Sequence, residues 1–354
     1  MVAPPPSSLH YGKDVGGQLV FKRLRIWSIR TAIACSMASV ALCSAMAGTQ
    51  SWTASYQFPP GDPRDEAMRT IAGQMAMVGL EIKLFPAASL LRPNDQWAAL
   101  ANGSIDMIFI PADYLLDLFP LLGALSLPGA IKTQAHAEKV GASAIMRDLH
   151  QQFETAGIVV LADSWMPGAY ASKGKCVVSP KDAKGLKART IGKFMSEFWT
   201  TAGAMAVPAT TSDALPILVN ANLIDIANTS VTTLMTLRME KSFSCLTLPG
   251  EDGALWYLYE PILVSKKRFE ALDEAQRKEL LAAAARAHES LAAATSLTVR
   301  RLAGNFLAAG VDVATLDKAN LAAWYKISRR SAWKLFREQV PGGNEFLDRL
   351  MAVE

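Results

Sequence analysis

The fold is most tightly constrained between residues 53 and 111, where the hydrophobic period changes from one segment to the next. "TASYQF" reads as a short strand and Pro59 to Pro63 as a turn. Ala67, Met68, Ile71, Ala72, Met75 and Ala76 then recur at helical spacing. "LEIKLFP" alternates with period two, and Asn94 or Asp95 caps a helix whose apolar face includes Trp97, Leu100 and Ala101. Gly103 ends that helix before the strand "SIDMIFIP". Strands joined by helical crossovers run parallel, so this β-α-β-α-β order predicts an α/β fold with a largely parallel sheet covered by helices.

The second half repeats the theme. A helix from about Ala137 stops at Gly157, and "IVVLA" follows as a buried strand. Ser179-Pro180-Lys181-Asp182 is a capping-box start with proline at the first helical position, so a short helix precedes the strand "LKART". Another helix runs from about Lys193 to Ala202 and ends at Gly203, and a further one starts after Ser212. At 354 residues the chain is long for one core and suits two lobes. Asp273 with Gln276 caps a helical pattern that continues toward Gly310, about 36 residues and roughly 54 Å. Either it breaks near Gly304, or it bridges both lobes as a spine.

Charge narrows the function. The net charge of +4 is concentrated in residues 1–47, where Lys13, Lys22, Arg23, Arg25 and Arg30 face only Asp14. The remainder carries 31 basic and 31 acidic residues. A nucleic-acid binder needs a basic face, so that class is set aside. The basic segment "KRLRIWSIR", the apolar run "TAIACSMASVALCSAMA" and the small-x-small pattern Ala45-Met46-Ala47 read as an export signal cleaved after Ala47. The run is too short and too rich in Ala and Ser to hold a bilayer well. The mature chain is therefore expected to be soluble and outside the cytoplasm. Cys35 and Cys43 leave with the signal, while Cys176 and Cys245 remain. Sequence gives no Cα separation by which to decide whether these two pair.

Catalytic groups are scarce. His10 lies in the signal, and His136, His150 and His288 sit on helical segments without metal-ligand spacing, which reads as solvated helix residues. No G-x-S-x-G, H-E-x-x-H, C-x-x-C or phosphate-cradling loop occurs. Asp62/Asp65 and Glu251/Asp252 read as helix-start and loop residues. The expectation is a protein without catalysis, metal or cofactor. One residue resists so bland an account. Arg189 ends "SPKDAKGLKAR" in what should be a buried strand, and a guanidinium keeps its proton, so something anionic should meet it there.

Three stretches carry a resemblance. "LFPAASLLRPNDQWAALANGSIDMIFIPADYL", followed by "LSLPGAI", resembles the strand, "FPaGqLG" loop, helix and "G-x-I-D" strand of the DctP-type solute-binding proteins of tripartite ATP-independent periplasmic (TRAP) transporters. "SPKDAKGLKART" followed by "TAGAMAVPATTSDALPIL" is similar to that family's "sP-x-DLKGLKIRv" region, and "NANLIDIANTSVTTL" to its "G-x-VDGaEnp" segment. Order and spacing hold from about Trp52 to the C-terminus. The resemblance implies a two-lobed periplasmic-binding-protein fold of type II-like form, with a ligand cleft between the lobes and a long lobe-spanning helix. The lobes expected are 48–165 with 255–294, and 166–254 with 295–354.

It also implies a role for Arg189, which falls on the family arginine that grips an organic-acid carboxylate by a two-pronged ion pair. An internal salt bridge is the competing reading. This chain departs from the family elsewhere. "WMPGAY" puts Tyr170 at or next to a second arginine of many relatives, and Ala227-Asn228-Thr229-Ser230 replaces a carboxylate with an amide. Pro111, Asp113 and Tyr114 stand where some relatives place polar contacts. The pocket is thus expected to be less charged and more aromatic than that of a dicarboxylate or sialic-acid binder.

By the same carry-over Trp165 is a ligand-stacking ring or else a core tryptophan. Asn228 and Thr229 hydrogen-bond the ligand or cap a helix. Gln57 and Phe58 end the first strand, where contacts gather in open α/β sheets. In "GALWYLYEP", Tyr257 and Tyr259 share one strand face and Trp256 the other. The function implied is capture of a small organic acid by cleft closure and delivery to the small and large membrane subunits of a permease, by a periplasmic monomer. Presentation of the ligand to a membrane sensor, or an exported enzyme on the same scaffold, are the alternatives.

Overall fold

The computed structural model describes residues 50–212 and 214–353. The expected export signal and its cleavage site, with His10, Cys35 and Cys43, lie outside the described residues. Twelve strands occur in the described part: β1 (Gln50–Tyr56), β2 (Leu80–Phe85), β3 (Met107–Phe109), β4 (Ile158–Ala162), β5 (Trp165–Ser172), β6 (Lys187–Thr190), β7 (Met205–Pro208), β8 (Ile226–Ser230), β9 (Cys245–Pro249), β10 (Tyr257–Tyr259), β11 (Ile262–Ser265) and β12 (Asp312–Leu316). They build two sheets, one in the order β2-β1-β3-β11-β4 and one in the order β12-β9-β5-β8-β6-β7, with β10 added on β5.

The sheets are mixed rather than largely parallel as expected, with five parallel and five antiparallel pairings among the described strands. β1 runs parallel to β2 and β3, β12 to β9, and β6 to β7 and β8. The antiparallel pairings follow from connectivity. The chain leaves the first sheet between β4 and β5 and returns between β10 and β11. β11 is antiparallel to β3 and β4, and β5 is antiparallel to β8 and β9. β10 pairs with the first residues of β5, Tyr259 opposite Trp165 and Tyr257 opposite Pro167. The two crossings therefore run side by side and form a two-stranded hinge between two lobes.

The long helical pattern is one helix, Glu274–Ala308, of 35 residues. Gly304 leaves it unbroken because an isolated glycine costs only about 1 kcal/mol, and the Asp273/Gln276 capping box forms as read. Its buried stripe changes partner along its length. Leu280, Ala283, Ala284, Ala287 and Leu291 join the core that includes β1, β3 and β11. Leu302 and Phe306 join a second cluster under β5, β8 and β9. At about 1.5 Å per residue the helix spans roughly 52 Å, enough to serve both lobes.

Three local expectations are corrected. The helix at Pro93–Ala101 starts on Pro93 at its first position, with Arg92 flanking it and no capping side chain; neither Asn94 nor Asp95 is the cap. The fixed φ of proline already suits that first turn. The segment 137–157 is two helices, Gln134–Gly141 capped by Thr133 and Ala144–Thr155, separated at Ala142–Ser143. His150 and His288 are not merely solvated. His150 Nε2 lies 2.9 Å from Asp163 Oδ1, and His288 Nδ1 lies 2.5 Å from the Asp163 carbonyl. The Tyr259 hydroxyl donates to the same Asp163 carboxylate at 2.5 Å, so both crossings are tied together at Asp163.

Cys176 and Cys245 form a disulfide, with Cα atoms 5.1 Å apart. It fastens the segment after β5 to the start of β9.

Candidate functional site

Arg189 stands near the end of β6, whose residues Ala188 to Thr190 are all buried. The central position of β6, between β7 and β8, gives its arginine no route to solvent, and 1% of it is exposed. Its Nε donates to the Ala209 carbonyl at 2.9 Å, Nη1 to the Asn228 carbonyl at 3.0 Å and Nη2 to Thr211 Oγ1 at 2.8 Å. All three acceptors are neutral. Among the described residues no carboxylate lies within ion-pair distance of it. A guanidinium has five N–H groups, so these three acceptors, with Tyr114 also bonded to it, do not use up its donors. Burial lowers the Arg189 pKa, against the opposing pull of Tyr114 and Asp113.

Arg189 borders a small cavity between the lobes. Asn228 and Thr229 of β8 and Met195 of the helix Gly192–Thr201 line it from the second lobe, Asp113 and Ser126 from the first, and Trp256 and Leu258 from the hinge. The free volume among them is about 10 Å³, room for about one water molecule. Trp256 and Leu258 face the cavity while Tyr259 turns away onto Trp165, with ring centroids 4.9 Å apart, as strand alternation requires.

The lobes are held together across this cavity. The Tyr114 hydroxyl accepts the Thr211 N–H at 3.0 Å and lies 3.3 Å from both Thr211 Oγ1 and Gln57 Oε1. A chain of contacts therefore runs from Gln57 through Tyr114 and Thr211 to Arg189. Asp113 Oδ2 accepts from Ser126 Oγ at 3.0 Å. Burial pushes the Asp113 carboxyl up to about 6, although Ser126 and Arg189 both pull it down.

Of the ten residues read from sequence, Arg189, Asn228, Thr229, Asp113 and Trp256 line the cavity, and Gln57 and Tyr114 form the bridge beside it. Tyr170 lies one layer behind. Its hydroxyl donates to the Val177 carbonyl at 2.7 Å, and its ring stacks on Trp256 at 6.1 Å and 8°. Trp165 borders a separate surface cavity with Glu138, Asp163 and His288. Phe58 lies under Arg64, whose guanidinium carbon is 3.8 Å from the ring centre. Ser126, Ile191, Met195 and Leu258 line the site without having been read from sequence. "LSLPGAI" and the two residues after Arg189 were the available signals.

Gly168 is another residue that sequence reading passed over. The Trp256 indole lies flat on it, so a Cβ there would stand 2.0 Å from Cε2 and 2.3 Å from Nε1. A methyl group there displaces the ring, which would move into the cavity. Gly168→Ala is expected to leave a folded protein whose ligand affinity falls about tenfold or more, read by titration calorimetry. Unchanged affinity would show that the ring position is irrelevant to binding.

A second ionic centre, also missed, sits beside the hinge. Arg64, 2% exposed, pairs through Nε and Nη2 with Asp62 at 2.8 Å and through Nη1 with both Glu260 oxygens at 3.1 Å. Its Nη2 also donates to Thr233 Oγ1 at 3.0 Å, and Thr236 Oγ1 donates to Asp62 Oδ2 at 2.9 Å. Asp62 does cap its helix, accepting the Arg64 N–H, but it belongs equally to this network. First-lobe, hinge and second-lobe groups meet here.

Such a molecule can close two lobes on something small and anionic, and release it when the hinge opens; by class it is a two-lobed binding protein. Sequence comparison places it further. Residues 66–339 match the model of DctP, the bacterial extracellular solute-binding protein family 7, and the chain belongs to that family of TRAP-transporter receptors. A solute-binding protein of Albidiferax ferrireducens is 30% identical over 317 residues, covering 87% of this chain and 92% of that protein. The 2,3-diketo-L-gulonate-binding periplasmic protein YiaO of Escherichia coli is 25% identical over 78% of this chain and 82% of its own length. Among solved structures, a TRAP periplasmic solute-binding protein of Rhodoferax ferrireducens with bound malonate matches with a TM-score of 0.78 and 29% identity, over 85% of this chain and 96% of that one.

Proposed function

We propose that this protein captures a small organic carboxylate outside the cytoplasm and hands it, unchanged, to the small and large membrane subunits of a TRAP permease. The observation that carries this reading is the Arg189 fork. A buried cation that lines a cavity and is bonded only to neutral oxygens is matched by a planar carboxylate, which a guanidinium can hold in a two-pronged ion pair. Asn228, Thr229, Asp113 and Trp256 form the ligand's other walls, with the lobes held further apart than in the present arrangement, whose cavity has room for about one water. Gln57 and Tyr114 act as the clasp that forms when the lobes close. Malonate bound to the Rhodoferax relative supports the carboxylate class. Transport energy comes from the permease, and the receptor acts as an exported monomer after cleavage near Ala47.

Capture then follows from geometry. In the open state Arg189 is reached by water and ligand. Closure about the paired crossings removes both from solvent and brings Tyr114 onto Thr211. The test is a thermal-shift screen of the purified protein against small organic acids, sugars and amines. A ligand at a hundred times its dissociation constant adds about 2.7 kcal/mol, a clearly raised melting temperature. Stabilisation by acids is expected; stabilisation by neutral compounds alone would overturn the assignment.

A further inference from the structure

The cavity wall contains more than the arginine fork. Asp113 accepts from Ser126 through Oδ2, and its own backbone N–H also bonds its carboxylate. Oδ1 lies close to the backbone of Gly192, where a Cβ would stand 3.9 Å from it. Asn228 is 3% exposed, lines the same cavity, and its Oδ1 has no hydrogen-bond partner. A buried amide oxygen left without a donor is costly, and native proteins rarely tolerate one outside a site that something else completes. The site thus offers one cation and, beside it, a buried carboxylate and an amide oxygen that lacks a donor. Among the described lining residues Arg189 is the one cation. Arg64 cannot help, because Asp62 and Glu260 already hold it.

We infer that the ligand is a singly charged acid carrying a hydrogen-bond donor next to its carboxylate, as in a 2-hydroxy or 2-amino acid, and that Asp113 and Asn228 read that donor while Asp113 excludes dicarboxylates. This rests on the carboxylate-binding reading of Arg189 and specifies its ligand. A second carboxylate would meet Asp113 with no cation to answer it, and the apolar walls from Ile191, Met195, Trp256 and Leu258 would not screen the repulsion. A hydroxyl or ammonium instead supplies the donor that Asn228 Oδ1 lacks and that the Asp113 carboxylate can accept.

The charge state of Asp113 separates the two kinds of donor. The charged or titratable groups whose influence reaches it are Arg189 and, through its charge, Glu260, which is tied to Arg64. Below about pH 6 Asp113 is protonated and the site carries the single positive charge that suits a hydroxy acid. Above it Asp113 is ionised and suits a zwitterion. Hydroxy-acid binding should therefore tighten as pH falls from 7.5 to 5, and amino-acid binding should weaken.

The experiment is calorimetric titration of the purified protein with matched acids of two to six carbons, each 2-hydroxy acid and 2-amino acid against its unsubstituted parent, for example lactate and alanine against propionate. Malonate and succinate are added as dicarboxylates. The donor-bearing member of at least one set is expected to bind tenfold or more tighter than its parent, with dicarboxylates weaker still. Asp113→Asn, which keeps size and removes charge, is expected to raise dicarboxylate affinity about tenfold. Unsubstituted acids binding as well as their hydroxy and amino partners would overturn the inference, as would wild-type preference for a dicarboxylate; both leave the role of Arg189 standing. Absence of binding by every acid would overturn both.

Discussion

Replacing Arg189 with methionine is expected to abolish acid-induced stabilisation while leaving the ligand-free protein about as stable as before. The two halves of that result have separate causes. In the closed arrangement the guanidinium is desolvated, which lowers its pKa, and its three hydrogen bonds go to neutral oxygens. Each such bond is worth about 1–3 kcal/mol, and a buried cation without a carboxylate costs several. Removing both together in a side chain of similar volume leaves little net change. With ligand present the balance differs. A carboxylate enclosed in the closed cleft loses its only cation, at a cost of about 2–5 kcal/mol, a fall of roughly thirty- to several-thousandfold in affinity. Arg189→Lys keeps the charge but not the fork, and belongs between the two. Urea unfolding without ligand and calorimetry with it check the two halves independently. A large loss of ligand-free stability with affinity intact would make Arg189 a structural residue.

Why Arg189 could be picked from sequence at all is instructive. A charged residue inside a short apolar strand that follows a capping-box turn has few ways to avoid burial, and β6 confirms the burial. The alternation of "WYLY" likewise sufficed to separate Trp256 from Tyr257 and Tyr259, because strand geometry fixes side-chain direction whatever the neighbours do. Trp165 and Tyr170 were both read as ligand contacts, but their odd separation on β5 puts them on opposite faces. Which face meets the cleft was hidden, because β5 serves two pairings: its first residues lie on β10 and its last on β8 and β9.

Other parts were illegible for a different reason. The segment Asp62-Pro63-Arg64-Asp65 has every mark of an exposed helix start, and its acids do perform that task. Nothing local reveals that Glu260, 196 residues away, closes on Arg64. The long helix posed the same difficulty in reverse. Gly304 was a sound reason to suspect a break, and burial of Leu302 and Phe306 under the second sheet overrides it. Local preference is a weak term, and packing of an apolar stripe decides.

The larger stability effect belongs to Arg64. Arg64→Met is expected to destabilise the protein by about 3–5 kcal/mol at neutral pH, because it strands Asp62 and Glu260 as buried carboxylates without their shared cation. The pH dependence has a definite sign. In the wild type burial pushes the Asp62 carboxyl up, but Arg64 and Thr236 bring it below its ordinary value, whereas for Glu260 burial wins and the pKa is raised. Without Arg64 both folded-state values rise above the unfolded ones. The folded variant then binds more protons than the unfolded chain, so its stability falls as pH rises through and above about 4. The deficit relative to wild type should therefore be smallest near pH 4–5 and largest near pH 8, as followed by urea unfolding across that range. Adding Asp62→Asn and Glu260→Gln to Arg64→Met should recover part of the loss and flatten its pH dependence. A deficit that does not change with pH would mean that lost packing over Phe58, rather than the stranded charge, governs this site. If the charge governs, the hinge is held by an electrostatic knot that joins the first lobe and the crossing to Thr233 of the second. Closure would then turn about a fixed point beside the crossing at Glu260.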